Sequence, residues 1–279
     1  MEPVLIDIND YVHSGEGANG ESFNHRTDPS WMLKLYNASA PYVIVENEYA
    51  MASRVYEAGI PTPRPGTFVT DGNGRFGMHF RRFAGKKSFS RAIGDDPFRV
   101  EEYARRFAGM CLKLHSTHVD TGVFRSKKES NLQLLAESPF FSAEDKESIA
   151  AFIKAVPDTD TAVHGDLQYS NAIMTAEGDF FIDLGDFGYG HPYFDIGQVY
   201  LCSCVSNPAF IREMYHMEPE TAAEFWKYFV KGYFGEDSDL EEVTRTIRPY
   251  AGIMTFIIDR AVGAAMPEFH ALLDGICRR

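Results

Sequence analysis

The chain has 279 residues, of which 44% are hydrophobic and 24% charged, a composition that indicates one large or two smaller folded domains and excludes a disordered polymer. Its 40 Asp and Glu residues outnumber its 27 Lys and Arg residues, so the formal net charge is −13, which disfavours nucleic acid and anionic membranes as partners. The four cysteines lack the spacing of a zinc site and are too few to indicate a disulfide framework.

The first part of the chain, residues 1–84, is predicted to be rich in short strands. The strand-like runs are residues 4–12, 31–36, 67–70 and 76–83. Helical spacing of apolar residues takes over only in residues 43–58, and Gly59 supplies a stop for this helix. The pattern predicts a small β-rich lobe that contains one helix.

From residue 85 onward, helical spacing dominates. Helices are predicted at residues 98–118 and 143–155 and from about residue 195 onward, with two short strands at 172–174 and 180–182 between them. Cys202 and Cys204 are expected to be small hydrophobic residues on a helix. We therefore predict an α+β fold with a cleft between two lobes, residues 1–84 and residues 85–279.

The sequence carries no recognisable export or membrane signal. Residues 1–7 lack a basic region and a long apolar stretch, so no signal peptide is predicted. Residues 251–266 are apolar, but Asp259 and Arg260 interrupt them and the segment is too short to span a bilayer, so it is predicted to form a buried amphipathic helix. A cytoplasmic protein without a membrane partner is expected.

The densest cluster of polar side chains lies in the stretch His164-Gly165-Asp166-Leu167-Gln168-Tyr169-Ser170-Asn171, and a further carboxylate, Asp183, ends a short apolar strand after it. A carboxylate and an amide five residues apart on a loop can point into one pocket, where the second carboxylate can face them. Such oxygen ligands suit a hard divalent cation and leave room for phosphate oxygens. Phosphoryl transfer needs such a cation and a base aimed at the acceptor hydroxyl, and the pattern is compatible with it.

The stretch His164-Gly165-Asp166-Leu167, followed by Asn171, resembles the catalytic loop of protein-kinase-like enzymes, in the form typical of the aminoglycoside phosphotransferase and choline kinase branch. Ile182-Asp183-Leu184-Gly185 resembles the metal-binding Asp-x-Gly of that superfamily, and Phe194-Asp195-Ile196-Gly197 resembles the Asp-Ile-Ala/Gly that follows it. The resemblance implies a two-lobed protein-kinase-like fold. Gln168 stands where protein kinases usually have lysine, which counts against a protein kinase.

The resemblance also implies roles for individual residues. Asp166 is the implied catalytic base or hydroxyl-orienting carboxylate, and Asn171 and Asp183 are the implied ligands of Mg²⁺ between the phosphates of a nucleotide. A competing register places the metal ligand at Asp186, because Asp186-Phe187-Gly188 spells the protein-kinase motif. We prefer Asp183 because it lies twelve residues after Asn171 and directly ends the apolar strand; Asp186 remains open as a ligand of a second metal ion.

The N-terminal part supplies the expected nucleotide-binding groups. Gly15, Gly17 and Gly20 stand where a phosphate-covering loop between two strands belongs, although the same spacing occurs in ordinary hairpin turns. Lys34 is embedded in an apolar strand and needs a partner, and pairing with phosphates and a helix carboxylate meets that need. The expected carboxylate is Glu48.

Two choices at the nucleotide site stay open. Glu46 is the fallback partner for Lys34, two residues before Glu48 in the same helix. Residues 78–85 fall where the family joins its two lobes and binds the adenine edge, but this position does not separate ATP from GTP.

Three polar residues near the motifs are predicted to be structural. His115 is expected to be a core or interface histidine. His164 is expected to fix the catalytic loop by hydrogen bonds rather than to act in acid–base chemistry. Asp195 is expected to anchor the backbone of that loop rather than to bind metal.

Acidic residues accumulate between residues 216 and 242. They are Glu218, Glu220, Glu224, Glu236, Asp237, Asp239, Glu241 and Glu242. If they line the acceptor site, they attract a cationic acceptor such as an amino-sugar, an aminoglycoside or an amino-alcohol; the alternative is an ordinary solubilising surface.

The sequence therefore predicts an ATP-dependent kinase that phosphorylates a hydroxyl of a small molecule. One rival is a metal-dependent hydrolase that uses His164, Asp166 and Asp183 without a nucleotide, but it leaves Lys34, Glu48 and the glycines without a role. A second rival is a non-catalytic kinase-like module that only binds nucleotide. A kinase of protein substrates is disfavoured because the chain between Asp183 and Asp195 leaves little room for an activation loop.

Overall fold

The computed structural model describes residues 2–17 and 19–277. The chain forms two compact units, Met1–Lys86 with Ile173–Gly185, and Lys87–Ala172 with Asp186–Arg279. The strands are β1 (Val4–Leu5), β2 (Tyr11–Gly17), β3 (Gly20–His25), β4 (Trp31–Tyr36), β5 (Pro65–Thr70), β6 (Phe76–Arg81), β7 (Lys87–Ser88), β8 (Arg125–Ser126), β9 (Ala162–Val163), β10 (Ala172–Thr175), β11 (Gly178–Phe181) and β12 (Gly188–Tyr189).

The first unit contains the helix α1 (Tyr42–Glu57). Helices make up most of the second unit, and they are α2 (Phe89–Asp95), α3 (Val100–His115), α4 (Lys127–Glu137), α5 (Ala143–Ala155), α6 (Tyr193–Tyr200), α7 (Pro208–Phe210), α8 (Pro219–Phe234), α9 (Leu240–Ile253), α10 (Thr255–Val262), α11 (Pro267–His270) and α12 (Asp274–Cys277). Two π-helical segments, Leu201–Val205 and Ile211–Tyr215, follow α6 and α7. Among the described residues, no helix is long and apolar enough to cross a membrane.

The first unit is built on a six-stranded sheet in the order β1-β5-β6-β4-β3-β2. Only the β1–β5 pair is parallel. Side chains alternate between the faces of a strand, so Leu33 and Leu35 of β4 join one apolar cluster, while Tyr36 packs with Val45 of α1 on the other face. Lys34 shares the face of Tyr36 and therefore points to the side of the sheet that α1 covers.

The predicted strand over residues 4–12 is wrong in its middle. The structure has β1, a 3-10 turn at Ile8–Asp10 and then β2. Asp7 interrupts the strand because its side chain accepts a hydrogen bond of 2.9 Å from the Asn9 N–H, which caps the turn. The strand over residues 31–36 is confirmed as predicted, and Gly59, at φ +79°, ends the helix region as expected.

Residues 173–185 belong to the first unit, whereas the sequence placed a single boundary after residue 84. Three contacts within this unit hold them there. Phe181 N donates to Pro61 O at 2.7 Å, and the rings of Phe180 and Phe83 stack at 4.4 Å. Arg81 forms an ion pair of 2.7 Å with Glu177. The functional division into residues 1–84 and 85–279 stays a prediction.

The second unit packs helices around aromatic side chains. Phe107 of α3 meets the rings of Phe225 and Phe229 of α8 at 5.8 and 6.0 Å. A second apolar cluster consists of Leu135, Ile149, Ile153, Val156, Phe194, Ile253, Phe256 and Leu273. The short strands β8, β12 and β9 form a small sheet in that order.

Three sequence-based expectations for the second unit need correction. The helix predicted at 98–118 is α3, three residues shorter at the end, and α4 was missed although its capping box, Ser126 with Glu129, is visible in the sequence. Residues 251–266 are not one helix, because α9 ends at Ile253 and α10 ends before Gly263. Cys202 is buried and Cys204 exposed on the π-helical segment.

Candidate active site

Lys34 lies between two carboxylates in the first unit. Its ammonium nitrogen is 3.5 Å from Asp183 Oδ1 and 3.8 Å from Glu48 Oε2. Both distances exceed the roughly 2.8 Å of a charge-assisted hydrogen bond, so neither carboxylate holds the ammonium tightly. The Lys34 ammonium also lies 4.9 Å from the centre of the Tyr36 ring. The arrangement brings together a cation and two anions that the sequence had assigned to the nucleotide site.

Glu48, and not Glu46, is the helix carboxylate beside Lys34. The Tyr36 hydroxyl donates a hydrogen bond to Glu48 Oε2, which orients this carboxylate. Burial, followed by the nearby Glu48 charge, raises the pKa of Tyr36 far above its ordinary value, so the hydroxyl stays protonated and remains a donor. Glu46 instead accepts a 2.9 Å hydrogen bond from Tyr42 on the same helix.

Asp183 stands in an unusual backbone conformation. Its φ angle is +61°, in the left-handed region that Asp and Asn tolerate better than most other residues. This conformation turns the chain out of the strand that precedes it. The Asp183 side chain is 59% exposed, so its carboxylate is accessible to a ligand. Strained backbone of this kind is often kept at functional sites.

A cavity of about 640 Å³ surrounds these groups, within the size range of ligand sites. All of its lining residues belong to the first unit. Lys34, Glu48 and Asp183 form part of its wall, and Ile173 and Ile182 add apolar surface. From the predicted adenine-binding segment, the lining residues are Met78, Phe80, Arg81, Arg82, Phe83 and Gly85.

The predicted phosphate-covering glycines form the β2–β3 hairpin. Gly15 and Gly20 line the cavity, and Gly17 pairs with Gly20 at the end of the hairpin. A Cβ atom on Gly20 would lie 2.3 Å from Leu35 O, so a side chain there would disrupt the β3–β4 pairing. Gly15 has open space around it. Ala18, which the predicted loop includes, lies outside the described residues.

In the second unit, Asp166 is held by amide donors. Gln198 Nε2 donates to Asp166 Oδ1, and Asn171 Nδ2 donates to Asp166 Oδ2 at 2.8 Å. Gln168 Nε2 adds a longer hydrogen bond of 3.2 Å to Oδ2. Gln168 Nε2 also lies 3.4 Å from Asp166 Oδ1, so this donor is shared between the two carboxylate oxygens. The three amide donors fix the orientation of the carboxylate, and its partial exposure leaves it accessible to a hydroxyl.

Hydrogen bonds to Asp166 fix the orientation of the Asn171 side-chain amide. Its amide nitrogen donates to Asp166 Oδ2 and, at 3.0 Å, to the backbone oxygen of Asp166. Both amide hydrogens are therefore used on one neighbour. The remaining oxygen, Oδ1, is the atom that a hard cation prefers.

The backbone conformation at position 165 and its close approach to Asp186 require a glycine. Its φ is +84°, and a Cβ atom would lie 2.0 Å from the backbone oxygen of Asp186. The larger residue that protein kinases usually carry here does not fit this close approach.

Asp195 anchors the backbone of the loop, as predicted. It is fully buried and accepts hydrogen bonds from His164 N at 2.6 Å, Gly165 N at 2.9 Å and His115 Nε2 at 3.1 Å. Burial raises the pKa of this carboxyl, but the hydrogen bond and the charge of His115 oppose it, and the net pKa is lowered. His164 is also buried, and its Nδ1 accepts from Asp166 N at 3.3 Å.

We expect Asp195→Asn to lower the free energy of unfolding at pH 7 by about 3 kcal/mol, since the amide cannot accept from all three donors. Because folding lowers the pKa of Asp195, its contribution to stability is present above the ordinary pKa of about 3.9 and is lost as pH falls through the folded value. The difference from the unaltered protein in denaturant titrations should therefore shrink below about pH 4.

The matched control is Asp160→Asn, because Asp160 makes the same kind of pair with His118 on an exposed surface. This variant should leave the unfolding free energy nearly unchanged. Equal destabilisation by both substitutions would contradict an anchoring role for Asp195.

The eight acidic residues between 216 and 242 are all exposed. Several have structural partners: Glu218 pairs with Arg212, Glu236 pairs with Arg105, and Asp239 caps α9. Their contribution to an acceptor site therefore stays a prediction, and the partners favour the alternative of a solvated surface.

One set of residues was missed by the sequence reasoning. Gln198 contacts Asp166 across 32 positions of sequence, and Tyr215 donates to Gln168 Oε1 at 2.8 Å across 47 positions. No local spacing connects such distant residues, so only the fold reveals them.

Comparison with solved structures identifies the fold. A choline/ethanolamine kinase family protein from Mesorhizobium loti is 18% identical, with 96% of this chain and 86% of that chain covered and a TM-score of 0.58. The aminoglycoside phosphotransferase APH(4)-Ia is 14% identical, with 96% of this chain and 93% of that chain covered and a TM-score of 0.64. The amicoumacin kinase hAmiN is 15% identical, with 99% of this chain and 89% of that chain covered and a TM-score of 0.56. The predicted α+β, protein-kinase-like fold is confirmed.

The family follows from the sequence itself. The model of the phosphotransferase enzyme family matches residues 15–229, about three quarters of the chain. The protein therefore belongs to the phosphotransferase enzyme family. A search of curated protein sequences gave no match.

Proposed function

We propose that the protein is an ATP-dependent small-molecule kinase that transfers the γ-phosphoryl group to a hydroxyl. Family membership supports the phosphotransferase class. The observation that carries the proposal is the pairing of Lys34 with both Glu48 and Asp183 on the wall of the 640 Å³ cavity that Gly15 and Gly20 also line. In protein kinases, a strand lysine beside a helix carboxylate orients the phosphates of the nucleotide.

Each of the two proposed ligands carries an oxygen donor of the kind that a divalent metal ion takes. Asn171 offers Oδ1 after spending both amide hydrogens on Asp166, and Asp183 offers an exposed carboxylate. These hard oxygen donors suit Mg²⁺. When bound, Mg²⁺ supplies neutralisation of the charge on the nucleotide phosphates. Solved APH(4)-Ia and hAmiN structures contain AMP-PNP, and the latter also contains Ca²⁺, which supports a nucleotide with a divalent cation.

In the proposed reaction, Asp166 accepts a hydrogen bond from the acceptor hydroxyl and so directs the hydroxyl oxygen toward the γ-phosphorus. The new bond forms between that oxygen and phosphorus, while the bond from phosphorus to the β–γ bridging oxygen breaks. Asp166 takes the hydroxyl proton as the transfer proceeds, and ADP leaves with the bridging oxygen. Lys34, oriented by Glu48, holds the phosphates of the nucleotide.

We infer that the acceptor carries an amine, as in an amino-sugar, an aminoglycoside or an amino-alcohol. The net charge of −13 attracts cationic compounds. Solved structures of similar fold bind hygromycin B or are kinases of amicoumacin. A cytoplasmic location fits this activity, since ATP is available there and the four cysteines are free thiols.

The metal-dependent hydrolase has less support. His164 is fully buried, with Nδ1 engaged by the Asp166 N–H. Among the described residues, the ligand atoms of His13, Glu16 and Glu21 cluster closely enough to share a metal ion, and this group includes none of His164, Asp166 and Asp183.

The test is a coupled assay of ADP release with Mg²⁺ and ATP, or GTP in parallel, against amino-alcohols, aminoglycosides and neutral sugars. Turnover that requires both the metal and an amine-bearing acceptor is expected. Transfer to neutral sugars alone would refute the cationic acceptor. Magnesium-dependent thermal stabilisation by ATP without transfer to any acceptor would identify a nucleotide-binding module, and ester hydrolysis without nucleotide would identify a hydrolase.

Lys34→Met should lower kcat/KM for ATP by on the order of 10², because one fixed positive charge on the phosphates is lost. Lys87→Met is the matched control, since Lys87 is exposed and pairs with Asp95; it should retain the original kcat/KM. Equal kcat/KM values for the two variants would remove Lys34 from the nucleotide site.

A further inference from the structure

Gln198 of α6 is 7% exposed and lies against the proposed catalytic carboxylate. Its amide nitrogen donates to Asp166 Oδ1. An ionised carboxylate only accepts hydrogen bonds, so this contact fixes which end of the Gln198 amide is nitrogen and which is oxygen. Gln198 Oε1 is consequently turned away from Asp166.

No hydrogen bond within the described part of the chain uses Gln198 Oε1. Among the described residues, the fully buried side-chain polar atoms without a hydrogen-bond partner are Asn131 Nδ2, Ser203 Oγ and Thr255 Oγ1. Gln198 Oε1 is not one of them, so this atom is accessible at the surface. The oxygen of a side chain that is more than nine-tenths buried therefore remains open to a small donor. A ligand that covers this oxygen without donating to it leaves the acceptor unpaired and loses affinity, whereas a ligand with a donor there does not.

Gln168 provides the contrast. Its Oε1 accepts the Tyr215 hydroxyl at 2.8 Å, and its Nε2 donates to Asp166. Both ends of the Gln168 amide are thus occupied by protein. Of the two glutamines that contact Asp166, only Gln198 offers a ligand its oxygen.

We propose that Gln198 Oε1 recognises a second donor on the phosphoryl acceptor, on the carbon next to the reacting hydroxyl. In this arrangement, Asp166 accepts a hydrogen bond from the reacting hydroxyl. Gln198 Oε1 accepts a hydrogen bond from the donor on the adjacent carbon, because the nitrogen of the same amide is bonded to Asp166. The acceptor class is therefore a vicinal pair of donors, a 1,2-diol or a 1,2-amino-alcohol. This inference rests on the proposed kinase function.

The test uses three ring compounds that differ at one position: trans-2-aminocyclohexanol, trans-cyclohexane-1,2-diol and cyclohexanol. Phosphate transfer from ATP is followed by ³¹P NMR. In the unaltered enzyme, loss of the second donor should lower kcat/KM by on the order of 10², because cyclohexanol leaves Gln198 Oε1 unpaired.

Gln198→Met keeps the side-chain size and removes the amide. It should slow all three acceptors but reduce the preference over cyclohexanol to within about threefold. Gln168→Met should also slow all three and retain the preference. Gln198→Glu, which keeps an acceptor oxygen and adds charge, should shift the preference from the diol to the amino-alcohol. Unfolding transitions and ATP affinity show whether each variant remains folded.

An unchanged preference in Gln198→Met would show that Gln198 only supports Asp166 and would overturn the inference. Transfer to cyclohexanol as efficient as to the diol, or to none of the ring compounds while other acceptors react, would overturn it as well. Failure of every acceptor in the wider panel would instead refute the proposed kinase function, and the inference with it.

Discussion

Replacing Asp166 by asparagine is expected to lower kcat by on the order of 10³ while the affinity for ATP changes less than about threefold. The carboxylate is the proposed acceptor of the hydroxyl proton, and general-base groups contribute roughly 10² to 10⁴ to rate. Asp166 is not among the residues that line the cavity beside Lys34, where the nucleotide is proposed to bind, so ATP binding should survive. Single-turnover transfer and ATP titration of the same preparation measure the two effects.

Asp166→Ala should likewise lower kcat and retain the affinity for ATP. Comparing the stabilities of Asp166→Ala and Asp166→Asn shows how much each substitution disturbs folding. Asparagine presents an amide nitrogen toward one of the donors Gln198 and Asn171, whereas alanine removes both carboxylate oxygens and leaves Asn171 only the backbone oxygen of residue 166. Asp160→Asn is the control for the chemical change at an exposed site and should retain full kcat. Loss of ATP affinity in both Asp166 variants, with normal unfolding curves, would show that Asp166 serves the nucleotide and not the hydroxyl.

The groups that the sequence located best are those whose chemistry is local. The spacing of Asp166 and Asn171 predicted that they act together, and the structure joins them by hydrogen bonds. Lys34 was identified because a lysine inside an apolar strand demands a partner, and Glu48 is that partner on the next helix. Their roles toward a nucleotide stay predictions.

What the sequence could not provide depends on contacts between distant positions. His115 reaches Asp195 across 80 residues, and Arg105 reaches Glu236 across 131. The second contact changes the interpretation of the acidic segment, since an apparent excess of negative charge is partly used by arginine. Periodicity describes one element at a time and contains no information about which elements meet.

Two carboxylates in the second unit show how surroundings separate structure from chemistry. Asp195 is fully buried, and its partners are two backbone N–H groups and a histidine, so it serves the backbone of the loop. Asp166 is only partly buried and its partners are side-chain amides. Neutral amide donors orient a carboxylate without forming an ion pair, which leaves Asp166 available for an incoming hydroxyl.

Replacing Asp183 by asparagine is expected to lower kcat/KM at limiting Mg²⁺ by at least about 10², and to shift the dependence of rate on Mg²⁺ to higher concentration. Asparagine tolerates the +61° φ angle about as well as aspartate does, so the substitution removes charge without forcing the backbone to move. Lys34 keeps Glu48 as a nearby anion at 3.8 Å, so its ammonium is not left without a carboxylate beside it.

Asp186→Asn tests whether Asp183 or Asp186 is the metal ligand, the two alternatives that the sequence motifs offer. Asp186 is exposed and its backbone oxygen packs against Gly165, so its side chain can be altered without disturbing that approach. If Asp183 is the ligand, rates of the Asp186 variant should saturate at nearly the original Mg²⁺ concentration. A larger Mg²⁺ shift in Asp186→Asn than in Asp183→Asn would transfer the ligand role to Asp186. Comparable shifts in both would indicate two metal ions, because a single ion bound by one of these carboxylates cannot respond equally to the loss of the other.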